Sequence, residues 1–238
     1  MAFRQALLAA VAAAICAGPA LAQDAGLTGM WLLEPSDFGR RESPPLTPEI
    51  AAAAAAAQKA AGPDGPVLSD DNKRCLPTGM PGMMANEFAL EFLETPGRVT
   101  IISENSPLVR SVYLNRKGHT DGVTPGWNGH SIGHWEGKTL VIDTIALNDR
   151  KTHIGRGAPP SANTRIVERY TVSADGKTLA GEMTFIDDTV LTGPWTVKHG
   201  YNRLEADAEL WEYACEVGAA GWSERFEGDP EAKLTPKS

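Results

Sequence analysis

Cysteine is the scarcest reactive side chain here, with three in 238 residues. No two of them form a C-x-x-C, so neither a dithiol redox centre nor a zinc-ribbon framework is available. There is no H-E-x-x-H, which removes the helical zincin template, and no glycine-rich loop to cradle phosphates. Positive charge is also short: 22 Lys and Arg face 30 Asp and Glu, a net charge of −8. An acidic chain without a basic patch is a poor partner for nucleic acid. Beyond the first residues no run is apolar enough to span a bilayer, so no membrane span is expected.

The N-terminus reads as an export signal. Arg4 supplies the positive end, Ala6 to Ile15 an apolar stretch too short to cross a membrane, and Ala20-Leu21-Ala22 an A-x-A cleavage site. Cys16 does not read as a lipidation site, because Ala-Ala-Ile before it fits that signal badly. Cleavage after residue 22 starts the mature chain at Gln23, places it in the periplasm or outside the cell, and removes Arg4, leaving 21 basic against 30 acidic residues, or −9. Cys75 and Cys215 then remain, and an oxidising compartment predicts a disulfide between them. Such a bridge closes a loop of about 140 residues, worth about 4–5 kcal/mol of chain entropy.

Residues 23–226 are expected to form a single β-rich domain, with a helical and loop insertion at about 40–73 and a flexible tail at 227–238. Thr47-Pro48-Glu49 opens a helix, with Thr47 at the N-cap and Pro48 at the first position. The alanines from Ala51 to Ala57 extend it, and Gly62-Pro63 stops it. Alanine buries little area, which puts this helix on the surface. Gly26 to Pro35 reads as a first strand. From Phe88 the pattern turns to period two, with strand-like runs at Phe88–Thr95, Arg98–Glu104, Leu108–Arg116, His130–Trp135, Thr139–Leu147, Arg165–Val172, Thr178–Asp187 and Trp195–Arg203. Ala208–Cys215 reads as a last strand or a short helix. Tight turns at Pro96-Gly97, Glu136-Gly137 and Ala174-Asp175-Gly176 predict an antiparallel meander, closed into a barrel to remove its edges.

Gly29-Met30-Trp31 ahead of that meander resembles the G-x-W opening of lipocalin and calycin barrels. The resemblance implies an antiparallel calycin-like barrel with one alanine-rich surface helix, a Trp closing the barrel base and room for one ligand. A wider resemblance rests on Arg74-Cys75-Leu76-Pro77 with Gly79-Met80-Pro81, on Thr95-Pro96-Gly97-Arg98-Val99-Thr100, and on Gly129-His130-Ser131 leading into Trp135-Glu136-Gly137. These look like a family of exported, uncharacterised proteins of soil and aquatic bacteria. That family carries no activity over. Its members often have Pro-His-Ser where this chain has Pro159-Pro160-Ser161.

Chemistry concentrates between Trp127 and Asp143. A two-residue loop at Glu136-Gly137 pairs His130 with Asp143 across the hairpin, with Cβ atoms about 5 Å apart, the arrangement of a general base oriented by a carboxylate. A three-residue loop pairs His130 with Ile142 and puts Asp143 on the other face; the pattern leaves both registers open. The plainer role for His130 is to hydrogen-bond a loop at the barrel mouth. His130 and His134 share the spacing of a helical zinc pair, but four residues of strand span about 13 Å, so they hold no common ion and no metal is expected. No Gly-x-Ser-x-Gly elbow is read at Gly129-His130-Ser131-Ile132-Gly133, and a serine hydrolase is not expected.

Asp149 and Arg150, with His153, form a second polar cluster, readable as a proton acceptor with an anion holder or as a turn with a surface ion pair. Glu168 and Arg169 alternate, so one faces inward and needs a partner, for which Arg150 and Arg165 are candidates. Asp187-Asp188 reads as a turn. Six tryptophans, with Met80, Met83 and Met84, are core residues or the lining of an apolar cavity.

Two functions follow. One is an exported barrel binding a small apolar or aromatic molecule through Trp127, Trp135, Met80, Met84 and Arg150. The other is a cofactor-independent lyase or hydrolase acting on a small molecule, with His130 as general base and Asp143 or Asp149 orienting it. An interaction module acting through the alanine-rich helix is a weaker third. No cofactor is implied, and oligomeric state is not encoded legibly.

Overall fold

The computed structural model describes residues 26–37, 43–61, 76–106, 108–148, 154, 158 and 160–211. Among them nine strands close into one barrel in chain order. They are β1 (Gly29–Leu33), β2 (Leu90–Thr95), β3 (Arg98–Ser103), β4 (Arg110–Tyr113), β5 (His130–Glu136), β6 (Thr139–Ile145), β7 (Arg165–Val172), β8 (Thr178–Ile186) and β9 (Trp195–Arg203). The one long helix, α1, covers Pro48–Ala61. Its alanines at 51–53 and 55–57 are exposed, and Ile50 packs against the core. From Ala208 to Trp211 the chain forms no strand.

The expected all-antiparallel meander is corrected at one ladder. β4 and β5 run parallel, with Val112 opposite Ser131 and Tyr113 opposite Ile132. Parallel neighbours need a crossover, since the chain must return to its starting end. Residues 114–129 are that crossover. The other connections sort the barrel into two ends. The tight turns at Pro96-Gly97, Gly137-Lys138 and residues 173–177 mark one, and the longer loops gather at the other.

The turn end is shut from within. Trp31 is fully buried and its indole N–H donates to Leu27 O at 2.9 Å. The Arg203 guanidinium lies 4.0 Å over the Trp31 ring. Arg203 also donates to Gly176 O at 2.6 Å, to Thr28 O at 2.9 Å and to Gly26 O. Gly29 is required here: its φ is +135°, and a Cβ would sit 2.4 Å from the Arg203 guanidinium. β1 pairs with β9 directly, Trp31 opposite Arg203. The expected Cys75–Cys215 disulfide is withdrawn. No disulfide bond is present among the described residues, and both cysteines lie outside them. Closure rests instead on the β1–β9 ladder and its arginine clamp.

The lumen is aromatic around one ion pair. Phe92, Tyr170, Tyr201 and Phe185 are buried, and Met80, Met83 and Met84 are buried in the segment before β2. Tyr201 donates to Met84 O at 2.7 Å, tying that segment to β9. Glu168 is the inward member of its pair, as alternation requires, but its partner is Arg110 on β4 rather than Arg150 or Arg165. Arg110 donates to Glu168 Oε1 at 3.0 Å and to Oε2, to Thr144 Oγ1 at 2.9 Å and to Ser131 Oγ at 3.2 Å. Tyr170 donates to Glu168 Oε1 at 2.8 Å. Burial, then the Glu168 charge, holds the Tyr170 hydroxyl well above its ordinary value, so it stays a donor. Asp187 is also buried, and it pins the turn before β9 by accepting from Thr164, Thr189 and Val190.

A buried pair is destabilising to break and nearly neutral to replace. Glu168→Ala is expected to cost about 3–5 kcal/mol, because it strands Arg110 in the lumen. The double variant Arg110→Met/Glu168→Met should recover most of that loss. Urea denaturation of the wild type, Glu168→Ala and the double variant checks this, and a double variant no more stable than Glu168→Ala would contradict it.

Candidate functional site

The hairpin register follows neither expected alternative. Glu136 pairs with Thr139, His130 with Ile145 and Ile132 with Asp143. Gly137 has φ +61° and Lys138 does not share the positive sign. Glycine at the first central position with positive φ is the type II′ pattern, so Gly137-Lys138 is the two-residue loop. The shift of pairing keeps His130 and Asp143 on one face, the outer face of the barrel, as diagonal neighbours rather than opposite ones.

A residue not singled out in the sequence bridges them. The crossover lays His119 over the outer wall, its Nδ1 2.7 Å from His130 Nδ1 and its Nε2 3.6 Å from Asp143 Oδ2. That Nε2 is buried and makes no hydrogen bond. Arg165 grips Asp143 with two bonds of 2.7 Å. Tyr113 stacks on His130 at 5.7 Å between centroids, and the Arg116 guanidinium lies 4.2 Å over Tyr113. The only sequence signal for His119 was a histidine in a polar loop; nothing in the pattern revealed the parallel pairing that folds this loop back.

The other expected residues scatter. Trp127 is half-buried ahead of β5, and its carbonyl accepts from the Met80 amide at 2.8 Å. Trp135 sits at the opposite end of β5 and packs against the core. Met80 and Met84 are fully buried core. Asp149, Arg150 and His153 lie outside the described residues. His134 is exposed beside Glu136 at 3.2 Å, and Arg169 joins Glu136 at 2.7 Å, a surface network. Ser131 stands in a Gly-x-Ser-x-Gly run, yet it lies within a strand and faces inward, its hydroxyl engaged by Arg110 and Thr144. A nucleophile elbow needs an exposed strand-to-helix turn. Among the described residues no group of three or more His, Cys, Asp or Glu is arranged for a metal. His130 and Asp143 approach different nitrogens of His119, so the three donors do not converge.

Burial, then His119 and the Arg116 charge, holds His130 below its ordinary 6.5. The unfolded chain therefore takes this proton first as pH falls. The His130 contribution to stability is present above about pH 6.5 and is lost as pH drops through the depressed folded value. The fall in Tm between about pH 7 and pH 5 should be smaller in His130→Asn. An unchanged slope would remove His130 from the acid response.

No family model matches the chain, and no curated protein matches it. The bacterial family suggested by the sequence is therefore not shown. Among the described residues no helix is long and apolar enough to cross a membrane. The chain is similar to a secretory abundant heat soluble protein of Ramazzottius varieornatus, at 15% identity and TM-score 0.38, over 75% of this chain and 96% of that one. It is similar too to secretory abundant heat soluble protein 4 of the same organism, at 15% identity and TM-score 0.34, over 76% and 96%. Likenesses this distant bear on neither fold nor function.

Proposed function

We propose that the chain is an exported barrel that binds a small apolar or aromatic molecule, and that the ligand meets it on the outer face around His130. The observation that carries this reading is the His130–His119–Asp143 cluster. Ionisable groups are half-covered on a barrel wall, beside a tyrosine ring, with His119 set between His130 at 2.7 Å and Asp143 at 3.6 Å. The lumen, by contrast, is occupied by its own Arg110–Glu168 network and aromatic side chains. The calycin-type assignment belongs to the same reading and is supported by Gly29 and Trp31 under Arg203. Export rests on the pattern of residues 1–22, and N-terminal sequencing of the protein expressed with its leader should begin at Gln23.

Amide shift mapping with a set of small aromatic and aliphatic fragments tests the placement. Perturbations are expected at Tyr113, Arg116, His119 and His130. Perturbations confined to Tyr170, Tyr201 and Met84 would move the ligand to the lumen.

The same cluster favours a second reading, a cofactor-independent lyase or hydrolase with His130 as general base. Asp143 then acts through His119 rather than directly. If a bound fragment is turned over, His130→Ala should slow it by about 10²–10⁴-fold, the usual contribution of a positioned base. Retained affinity with no turnover in either form leaves a carrier.

A further inference from the structure

We propose that His119 is a positioning residue that fixes the proton of His130, so that Nε2 of His130 stands as a bare base for a small planar molecule with a weakly acidic hydroxyl, a phenol or an enol. This rests on the His130 face being the small-molecule site.

The proton count follows from the geometry. Two ring nitrogens 2.7 Å apart, Nδ1 of His119 and Nδ1 of His130, hold one proton between them. The other nitrogen of His119 faces the Asp143 carboxylate at 3.6 Å. A carboxylate at that distance favours an N–H over a lone pair. With its proton on Nε2, His119 offers Nδ1 as the acceptor, and His130 Nδ1–H donates to it. His130 Nε2 then keeps its lone pair and has no hydrogen-bond partner among the described residues. Arg165 holds Asp143 in place with its two 2.7 Å bonds, which makes the carboxylate a fixed reference for the relay.

The surroundings select the ligand class. The groups facing His130 are Tyr113 from β4, Arg116 and His119 from the crossover, Asp143 from β6 and, behind it, Arg165 from β7. Asp143 and Arg165 cancel as a pair. Arg116 donates to Thr120 Oγ1 at 2.6 Å and has no carboxylate partner among the described residues. The local balance is therefore positive and suits an arriving oxyanion, while the Tyr113 ring suits a flat molecule. In the step itself the ligand O–H bond breaks and an N–H bond forms at His130 Nε2. The electron pair stays on oxygen, and the product is an imidazolium facing a phenolate or enolate near Arg116. No oxidant or co-reactant is needed.

Long-range 1H–15N correlation of the histidine rings reads the tautomers in the free protein, independent of any ligand. The expected wild-type pattern is a proton on Nδ1 of His130 and on Nε2 of His119. In His119→Ala, with the backbone amide spectrum otherwise preserved, the His130 proton should redistribute toward Nε2. A wild-type His130 protonated at Nε2, or an Nδ1 proton untouched by His119→Ala, overturns the relay. The ligand class is read with 4-nitrophenol, whose phenolate absorbs in the visible. Bound to the wild type its acidity should rise about tenfold, one pKa unit. The effect should vanish in His130→Ala and shrink in Arg116→Met. Binding without a change in acidity, or no binding, overturns the hydroxyl-acid assignment. Failure of the broader small-molecule reading would appear separately, as fragment shifts confined to the lumen.

Discussion

Two strands running the same way impose most of what is distinctive here. β4 and β5 both lead from the loop end to the turn end, so the chain must travel back between them. A hairpin would have needed two residues; the parallel pair takes residues 114–129 and spreads them over the outer wall. That return brings His119 and Arg116 to a face that β5 and β6 had already furnished with His130 and Asp143. The site is thus a by-product of one ladder's direction.

The wall beneath the site is held from the other side. Strand alternation places Ser131 inward beside outward His130, and Thr144 inward beside outward Asp143. Arg110 binds both inward hydroxyls and Glu168 at once, drawing β4, β5, β6 and β7 together. The spacing of the outer imidazole and carboxylate is therefore fixed by a network they never touch. A buried ion pair is a weak source of stability but a strong source of register, since any slip of one strand would unpair a desolvated charge.

Legibility in the sequence followed locality. Pro48 and Gly62 bracketed α1, and the bounds of β7 and β9 agreed to the residue, because period two and turn glycines are short-range signals. Gly137 was visible as a turn residue, yet its place within the turn depended on the sign of a dihedral that letters do not carry. Glu168 could be seen to need a partner. That Arg110, 58 residues away, would supply it depended on which strands became neighbours. His119 was hidden for the same reason: a loop histidine acquires meaning only once a parallel ladder folds the loop onto its own strands. Met80 and Trp127, read as lining one cavity with Trp135, do lie together, but Trp135 stands at the other end of β5, a separation that hydrophobicity alone does not encode.

The clamp at the turn end has a temporal consequence. Arg203 seals strands from opposite ends of the domain, bonding to Thr28 across 175 residues of chain. Among the described residues β1 is the first strand in the chain, and it keeps one edge unpaired until β9, the last of them, is in place. Contacts of such range form late and slow folding. Until those two strands meet, the chain carries an open margin of the kind that pairs with other chains.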